Sequence, residues 1–388
     1  MAKPRYRPIL GGIRALVILV FAHTKHSSKM NPNITLQVNK NTLLSYLRMH
    51  GSNCMSYSSL QTELRHFVLD GIGYIAYLPF RHLLWSPGGH RIVIGDPVCD
   101  PEHFPLILNA FLTETKRAIF VHIGAPCGDA LTTLNVQVNG FGIETILPCN
   151  DFELAGKARA KLRQWRNKCQ REGVTIQEQP IESFTKIKSV KALSDAWLGT
   201  KGTQEYGILS RPFSYQAEPD VRNFWAYQND ELVAMATFDP IYKNNEVIGY
   251  YHNVDRILPK APNGTGAYLI LEAMDRFKQE GRAFLSLGMS PLFMIRSKPN
   301  HNKNQRTQRA LKHTFNKLNH IYPFKGNASH KQKFAGKQTQ VYIAATQGNN
   351  LWQVLILLKA LGSLEINWDT LKVFGYIARK SVSLIKGK

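Results

Sequence analysis

A chain of 388 residues with 44% hydrophobic content can bury a sizeable core, so disorder throughout is excluded. With 28 glycines and 5 cysteines, a collagen repeat and a disulfide framework are excluded as well. The 49 Lys+Arg against 27 Asp+Glu leave a net charge of +22, which points to a polyanionic partner, either nucleic acid or an anionic membrane surface.

The length predicts two or three domains, or a duplicated fold. Residues 1–30 form a basic-then-apolar segment, ILGGIRALVILVFA following Lys3, Arg5 and Arg7. Its apolar run falls short of the roughly 20 residues a spanning helix needs. Three readings stay open for it: a membrane-surface anchor, a start-codon artefact with Met30 as the true start, or a signal peptide. In the body, Ile72 to Leu78 and Arg91 to Ile94 are predicted strands, the second running into a Gly95-Asp96-Pro97 turn. A helix over Phe104 to Thr115 and a buried strand over Ala118 to Ile123 follow. Asn150 or Asp151 is expected to cap a helix that ends at Gly173.

The α/β alternation then repeats. A helix near Val190 to Thr200 precedes strands at Val221 to Gln228, Glu231 to Phe238 and Glu246 to Val254. Ala261 to Gly266 is a glycine turn before a helix over Ala267 to Glu280, and Ala283 to Leu287 is a further strand. The expected fold class is α/β (α+β), with tandem acetyltransferase-like (GNAT) units at 31–150 and 151–346. Residues 347–388 form a basic amphipathic helical tail, in which Leu371, Phe374, Ala378, Val382 and Ile385 share one helix face. Such a helix suits an anionic membrane interface or docks on its own domain.

No cysteine pair has C-x-x-C spacing and the count is odd, so no zinc site is indicated and a reducing cytoplasm fits best. Two basic clusters stand out. Lys157 to Arg171 holds seven Lys/Arg and no acid. On a helix, Arg159, Arg163, Arg166 and Asn167 fall on neighbouring turns and can track phosphates. Trp165 within it can stack on a base or bury in the core. Arg296 to Gln340 holds eleven Lys/Arg and no acid, with Tyr322, Phe324 and Phe334 interleaved. That mixture suits single-stranded nucleic acid ends or lipid headgroups. Within it, Lys298 to Arg309 is expected to be a disordered basic linker.

Several stretches resemble the C-terminal catalytic region of the phosphatidylglycerol lysyltransferases, the aminoacyl-phospholipid synthase family. They are Ile94-Gly95-Asp96-Pro97-Val98, then Gly156 with Leu162-Arg163, Asn167-Lys168 and Arg171-Glu172-Gly173, and Ser194 to Leu198. Arg256 with Ala261-Pro262-Asn263-Gly264-Thr265 and Leu287-Gly288-Met289-Ser290-Pro291-Leu292 follow. Tyr322-Pro323-Phe324-Lys325-Gly326, Lys331-Gln332-Lys333-Phe334 and Leu351-Trp352 complete the set. The order holds from about Tyr57 to Trp352.

The resemblance implies tandem acetyltransferase-like folds and transfer of an amino acid from aminoacyl-tRNA to a membrane lipid hydroxyl, with a phosphatidylglycerol-like acceptor. It implies a freestanding synthase without a flippase region, cytoplasmic and peripheral on the inner face of the cell membrane. The expected partners are aminoacyl-tRNA and an anionic lipid. The ester donor is already activated, so no metal or other cofactor is demanded. Arg256, Lys331 and Lys333 are the candidate oxyanion donors or phosphate ligands, with Asn253 at the catalytic position. Asn263, Gly264, Gly288, Met289, Ser290 and Tyr322 are candidate substrate-binding residues. Arg159, Arg163, Arg166 and Asn167 are candidates for the tRNA phosphates.

Two departures from the family pattern matter. Asn253 stands where members often place Asp, and Ala267 where they place an acid. Neither residue is a general base, and lysine as the transferred amino acid is not supported. His252 is adjacent, but strand neighbours point to opposite faces and should not share one site. Three alternatives stay open: a CoA-dependent N-acyltransferase, a peptidoglycan-bridge aminoacyltransferase, and a non-catalytic nucleic-acid- or membrane-binding protein.

Overall fold

The computed structural model describes residues 39–181, 187–201, 211–317, 324–348 and 350–362. The N-terminal segment, Tyr322 and the tail beyond residue 362 lie outside the described residues. One eleven-stranded mixed sheet carries the fold. After helix α1 (Lys40–His50), strands β1 (Arg65–Leu69), β2 (Gly73–His82) and β3 (Ser86–Ile94) form an antiparallel meander. Helix α2 (Phe104–Glu114) crosses over to β4 (Ala118–Ile123), which pairs parallel with β3. Helix α3 (Ala125–Thr133) then leads to β5 (Gln137–Pro148).

The same topology follows again. Helix α4 (Ala160–Arg171), strand β6 (Val174–Glu178) and helix α5 (Ile187–Lys201) precede a second meander. It consists of β7 (Arg222–Gln228), β8 (Glu231–Lys243) and β9 (Glu246–Ile257). Helix α6 (Thr265–Gln279) crosses over to β10 (Phe284–Pro291), parallel to β9. Helices α7 (Gln305–Lys317) and α8 (Phe324–Gln332), strand β11 (Lys337–Ala345) and helix α9 (Leu351–Ala360) complete the chain.

The closing strands of the two halves are exchanged. β5 pairs with β10 of the later half, and β11 inserts between β4 and β5. The exchange makes one sheet of two repeats. It also brings the ends of β4, β5, β9 and β10 and helix α8 to one place.

Local chemistry explains the elements. The six residues of β4, AIFVHI, are all buried, as a central strand between two neighbours requires. Helix α6 buries a broad face that includes Ala267, Ile270, Leu271, Met274 and Phe277. Phe277 meets Phe224 and Phe238 edge-on and stacks on Tyr250 at 4.2 Å between centroids. Truncating such a side chain to Ala costs about 3–5 kcal/mol. Gly140 lies on β5 where the Arg296 backbone passes so close that a Cβ would collide with it.

Two sequence expectations need correction. Residues 150–159 are irregular, and α4 begins only at Ala160. The chain there is held by Arg159 and Arg163 instead of by an Asn or Asp cap. Lys298 to Arg309 is ordered as well. Lys298 Nζ donates to Asp129 Oδ2, Asn300 Nδ2 lies 3.3 Å from Asp129 Oδ1, and His301 Nε2 lies 3.1 Å from that oxygen. A single acid from α3 thus fixes the basic stretch, which then turns into α7.

Candidate active site

Three bulges shape a polar cluster where the halves meet. On β4 the pairing skips His122, whose φ of 58° is the left-handed conformation that non-glycine residues rarely adopt. On β10 the pairing to β5 skips Leu287 and Gly288. Gly288 has φ 70°, and a Cβ there would stand 2.6 Å from Tyr251 Cε2, so glycine is required. On β9 the skipped residue is Asn253. The parallel β9–β10 pairing ends at Tyr251 and Ser286, and beyond it the two strands separate. Bulges re-aim side chains in this way next to functional sites.

The residues so aimed form a network. Ser286 Oγ donates to Glu144 Oε1 at 2.6 Å and accepts from the Gly288 N–H at 3.0 Å. Cys54 Sγ lies 3.4 Å from His122 Nε2. Lys331, at the end of α8, donates from Nζ to the Met289 carbonyl at 2.8 Å. The loop carrying Cys54 is pinned by the Gly95-Asp96 turn. Asp96 accepts from Gly124 N at 2.8 Å and from Asn53 Nδ2 at 3.1 Å, while Asn53 Oδ1 receives the Met55 N–H at 2.8 Å. The Ile94 to Val98 motif therefore supports the site from behind.

Burial dominates the electrostatics. It pulls the Lys331 amine down to about 8, against the opposing pull of Cys54, Glu144 and Asp255. Burial raises Glu144, partly offset by hydrogen bonds from Ser286 and Cys54 and by the Lys331 charge. Burial, with Lys331 adding to it, lowers His122 to about 3, so its imidazole is neutral. His252 falls to about 4 through burial, opposed by Asp255, with Lys331 and His330 lowering it further. Burial lifts Asp96 to about 6.

Of the residues predicted from sequence, Lys331, Gly288, Met289 and Ser290 meet here. Ser290 Oγ donates to Asn327 Oδ1 on α8 at 3.1 Å, which ties that helix to β10. Lys331 and Lys333 diverge: Lys333 Nζ donates to Ser329 O and Oγ and lies over the Trp165 ring. Arg256 is 3% exposed and packs its guanidinium 5.8 Å from the Trp197 and Phe213 rings. It faces the core under α5, on the other side of β9 from Asp255. Asn253 is occupied by backbone: its Oδ1 accepts from Arg211 N and its Nδ2 donates to Arg211 O.

The remaining candidates have structural partners. Arg159 donates to Phe334 O at 2.9 Å, Glu153 O at 2.7 Å and Ala335 O at 3.2 Å. Arg163 donates to Leu154 O and Gly156 O, and Arg166 faces Asp275 at 3.8 Å. Arg159 and Arg163 clamp loop carbonyls and Arg166 sits beside Asp275 of α6, whereas Asn167 is exposed. Gly264, at φ 108°, lets α6 approach Trp165, whose Cβ would stand 2.5 Å from a Cβ there. Trp165 in turn stacks on His330. Asn263 is exposed beside that turn.

Glu144, His122, Cys54, Ser286 and Asp255 escaped the sequence reading. Glu144 and His122 carried a signal: His122 is the lone polar residue of its strand, and Glu144 is the one ionisable residue of β5. His252 and Asn253 take different sides, as alternation requires: Asn253 meets the Arg211 backbone and His252 faces Lys331. The bulge at Asn253 breaks the period, so His252 and Asp255 act on the same Lys331.

Cys54, His122 and Glu144 hold one ligand atom each within 4.8 Å of one another, a donor set that zinc accepts. However, Ser286 already satisfies Glu144, Cys54 faces His122, and the Lys331 ammonium supplies the compensating positive charge.

The family model for the C-terminal region of phosphatidylglycerol lysyltransferase matches residues 45–345. The chain belongs to this family. A phosphatidylglycerol lysyltransferase of Bacillus subtilis is 25% identical over 89% of this chain and 39% of its own length. The lysylphosphatidylglycerol biosynthesis bifunctional protein LysX of Mycolicibacterium gilvum is 24% identical over 73% of this chain and 25% of its own. The chain thus spans two fifths or less of these relatives. L-PGS from Bacillus licheniformis superposes with a TM-score of 0.67 at 23% identity, covering 82% of this chain and 95% of that one. The C-terminal domain of a putative lysylphosphatidylglycerol synthetase from Agrobacterium fabrum gives 0.65 at 21%, covering 83% and 96%. These likenesses establish the lysyltransferase-family α/β fold. The chemistry rests on the cluster itself.

Proposed function

We propose that the protein transfers an aminoacyl group from aminoacyl-tRNA to the hydroxyl of a phosphatidylglycerol-like lipid, at the anionic face of a membrane. One observation carries the reading: a lysine amine brought down to about 8 by burial stands among Glu144, Asp255 and Met289 O, at the gap between β9 and β10. A general base with its pKa near the working pH suits proton removal from an alcohol.

In this mechanism the neutral Lys331 amine takes the lipid hydroxyl proton as the oxygen attacks the ester carbonyl. The tetrahedral intermediate collapses with cleavage of the bond to the ribose oxygen. The Lys331 ammonium returns its proton to that oxygen, which restores the base. Glu144 and Asp255 are the anions available to the substrate's α-ammonium group. Asn253 and Ala267 offer no anion to a cationic side chain, so the reading leaves the amino acid open. The +22 charge suits a donor and an acceptor surface that are both polyanionic.

The test is a lipid extract from cells expressing the chain or its Lys331→Ala variant, compared by mass spectrometry. A new amine-bearing lipid, absent in the variant and lost on RNase treatment of a cell-free reaction, is the expected result. Its mass names both amino acid and acceptor. An unmodified lipid profile with folded protein and charged tRNA present refutes the proposal.

A further inference from the structure

The two most exposed large apolar side chains among the described residues are neighbours. Leu83 is 85% exposed and Leu84 70%, at the tip of the β2–β3 hairpin where His82 pairs with Ser86. A tight turn ordinarily carries polar residues; two leucines with nothing packed on them call for an apolar partner.

What surrounds the tip identifies the partner. Behind the leucines, Trp85 stacks on Trp352 of α9 at 5.2 Å between centroids, and Trp352 remains 47% exposed. Arg81 is exposed one residue before the tip's first pair, and Arg117 lies directly against Gly88 on the returning strand. The order from the tip inward is aliphatic, aromatic, basic. Aliphatic side chains belong in acyl chains, tryptophan at the headgroup level and arginine against lipid phosphates. The tip's backbone is also prepared for low dielectric. His82 Nδ1 lies 3.2 Å from the Leu84 N–H and 3.4 Å from the Trp85 N–H, and accepts from both. Donors satisfied within the turn avoid the desolvation cost that bars most loops from hydrocarbon.

We infer that the β2–β3 hairpin is an insertion tether for an anionic bilayer. A second copy of this chain is the poorer occupant: two leucines fall far short of a stable protein interface, and both copies carry +22. The tip lies at the start of β3, whose nine residues span about 30 Å before Asp96 is reached. It therefore lies at the far end of β3 from the Asp96 turn that supports the Lys331 cluster. The choice of a bilayer rests on the lipid-acceptor reading.

The test uses the full chain without tRNA, so it does not depend on catalysis. Leu83→Cys, labelled with an environment-sensitive fluorophore, is mixed with phosphatidylglycerol-containing or pure phosphatidylcholine vesicles; the five native cysteines are buried. The label is expected to shift to the blue and to be quenched by acyl-chain quenchers, on phosphatidylglycerol vesicles only. In unlabelled protein, Leu83→Glu with Leu84→Glu is expected to weaken vesicle partitioning about tenfold or more. Because both positions are exposed, the thermal melt should not move. A label that stays in water on bound vesicles overturns the tether, as does equal partitioning of the charged variant. A blue shift that needs only higher protein concentration also overturns it, in favour of self-association. Failure of lipid transfer with an inserting hairpin would sink the proposed function and leave the tether standing. Transfer to lipid in mixed micelles with a non-inserting hairpin would do the reverse.

Discussion

Asn253 and Arg211 are joined by a two-way amide pairing: Asn253 Oδ1 accepts from Arg211 N at 3.1 Å, and Nδ2 donates to Arg211 O at 3.0 Å. The same arginine sends its side chain to the fully buried Asp239 and to Glu218, and lies over the Tyr57 ring. An amide can hold both backbone groups at once, whereas a carboxylate has no N–H to give. Asn253 is therefore a positioning residue for the Arg211 segment. Asn253→Asp is expected to cost about 1–3 kcal/mol in urea unfolding, because one backbone carbonyl loses its donor and faces an anion. It should bring no gain in transfer rate. A faster enzyme would show that the acid restores a base.

Lys331 sets the expected pH dependence. Its folded pKa of about 8 is below the ordinary lysine value because burial disfavours the ammonium, while Cys54, Glu144 and Asp255 pull the other way. His122, His252 and His330, lowered by burial, also face it. A base acts when deprotonated, so single-turnover transfer should rise with pH and level off above about 8. The stability sign agrees. Between the folded and the unfolded value the unfolded chain binds the extra proton, so stability rises with pH through that window and the contribution is lost as pH falls through about 8. A flat profile between pH 7 and 9, about one unit either side of the folded value, would remove Lys331 as the base.

Glu144→Gln separates charge from geometry. Glutamine keeps an acceptor for Ser286 Oγ but removes the negative charge that holds the Lys331 proton. The pH midpoint of transfer should move to lower pH in this variant. A midpoint that stays, or moves up, would break the link between the two residues.

Much of the fold was legible, because long meander strands and the amphipathic α6 obey simple periodicities. Lys331 and the Gly288-Met289-Ser290 stretch were legible through family resemblance. The rest was hidden by features that periodicity does not describe. The bulges at His122, Asn253 and Gly288 change which faces side chains take, and the residue skipped at Asn253 brings His252 and Asp255, three positions apart, to the same Lys331. The exchange of β5 and β11 brings Cys54, Glu144 and Lys331 together across almost the whole chain. Local sequence carries no trace of such a contact. For the basic stripe, composition counts guanidinium groups but does not say that Arg159 and Arg163 already donate to loop carbonyls.

Gly288 tests the strained bulge. Alanine there would take an unfavourable φ and push into Tyr251, so about 1–3 kcal/mol of destabilisation is expected from strain alone. The N–H it gives to Ser286 Oγ would move, and with it the Ser286–Glu144 bond. Gly288→Ala should therefore lower both the melting temperature and transfer, while Gly281→Ala, also at positive φ but with open space around it, should cost stability alone.

Arg159 distinguishes a clamp from a tRNA ligand. Its guanidinium joins Glu153 O, Phe334 O and Ala335 O, and stacks over Phe152 at 4.4 Å. Two of those carbonyls follow Lys331 by three and four residues, so the clamp fixes the end of α8. Arg159→Ala should lower stability by about 1–3 kcal/mol through its unpaired carbonyls. At temperatures where it stays folded, its tRNA affinity should keep the wild-type slope against salt, because no phosphate contact is lost. Lys161→Ala, on the exposed side of the same helix, should leave the melt unchanged and reduce that slope if this face meets tRNA. A reversed pattern, with Arg159→Ala flattening the slope and leaving the melt untouched, would return Arg159 to the phosphate-binding role predicted from its spacing.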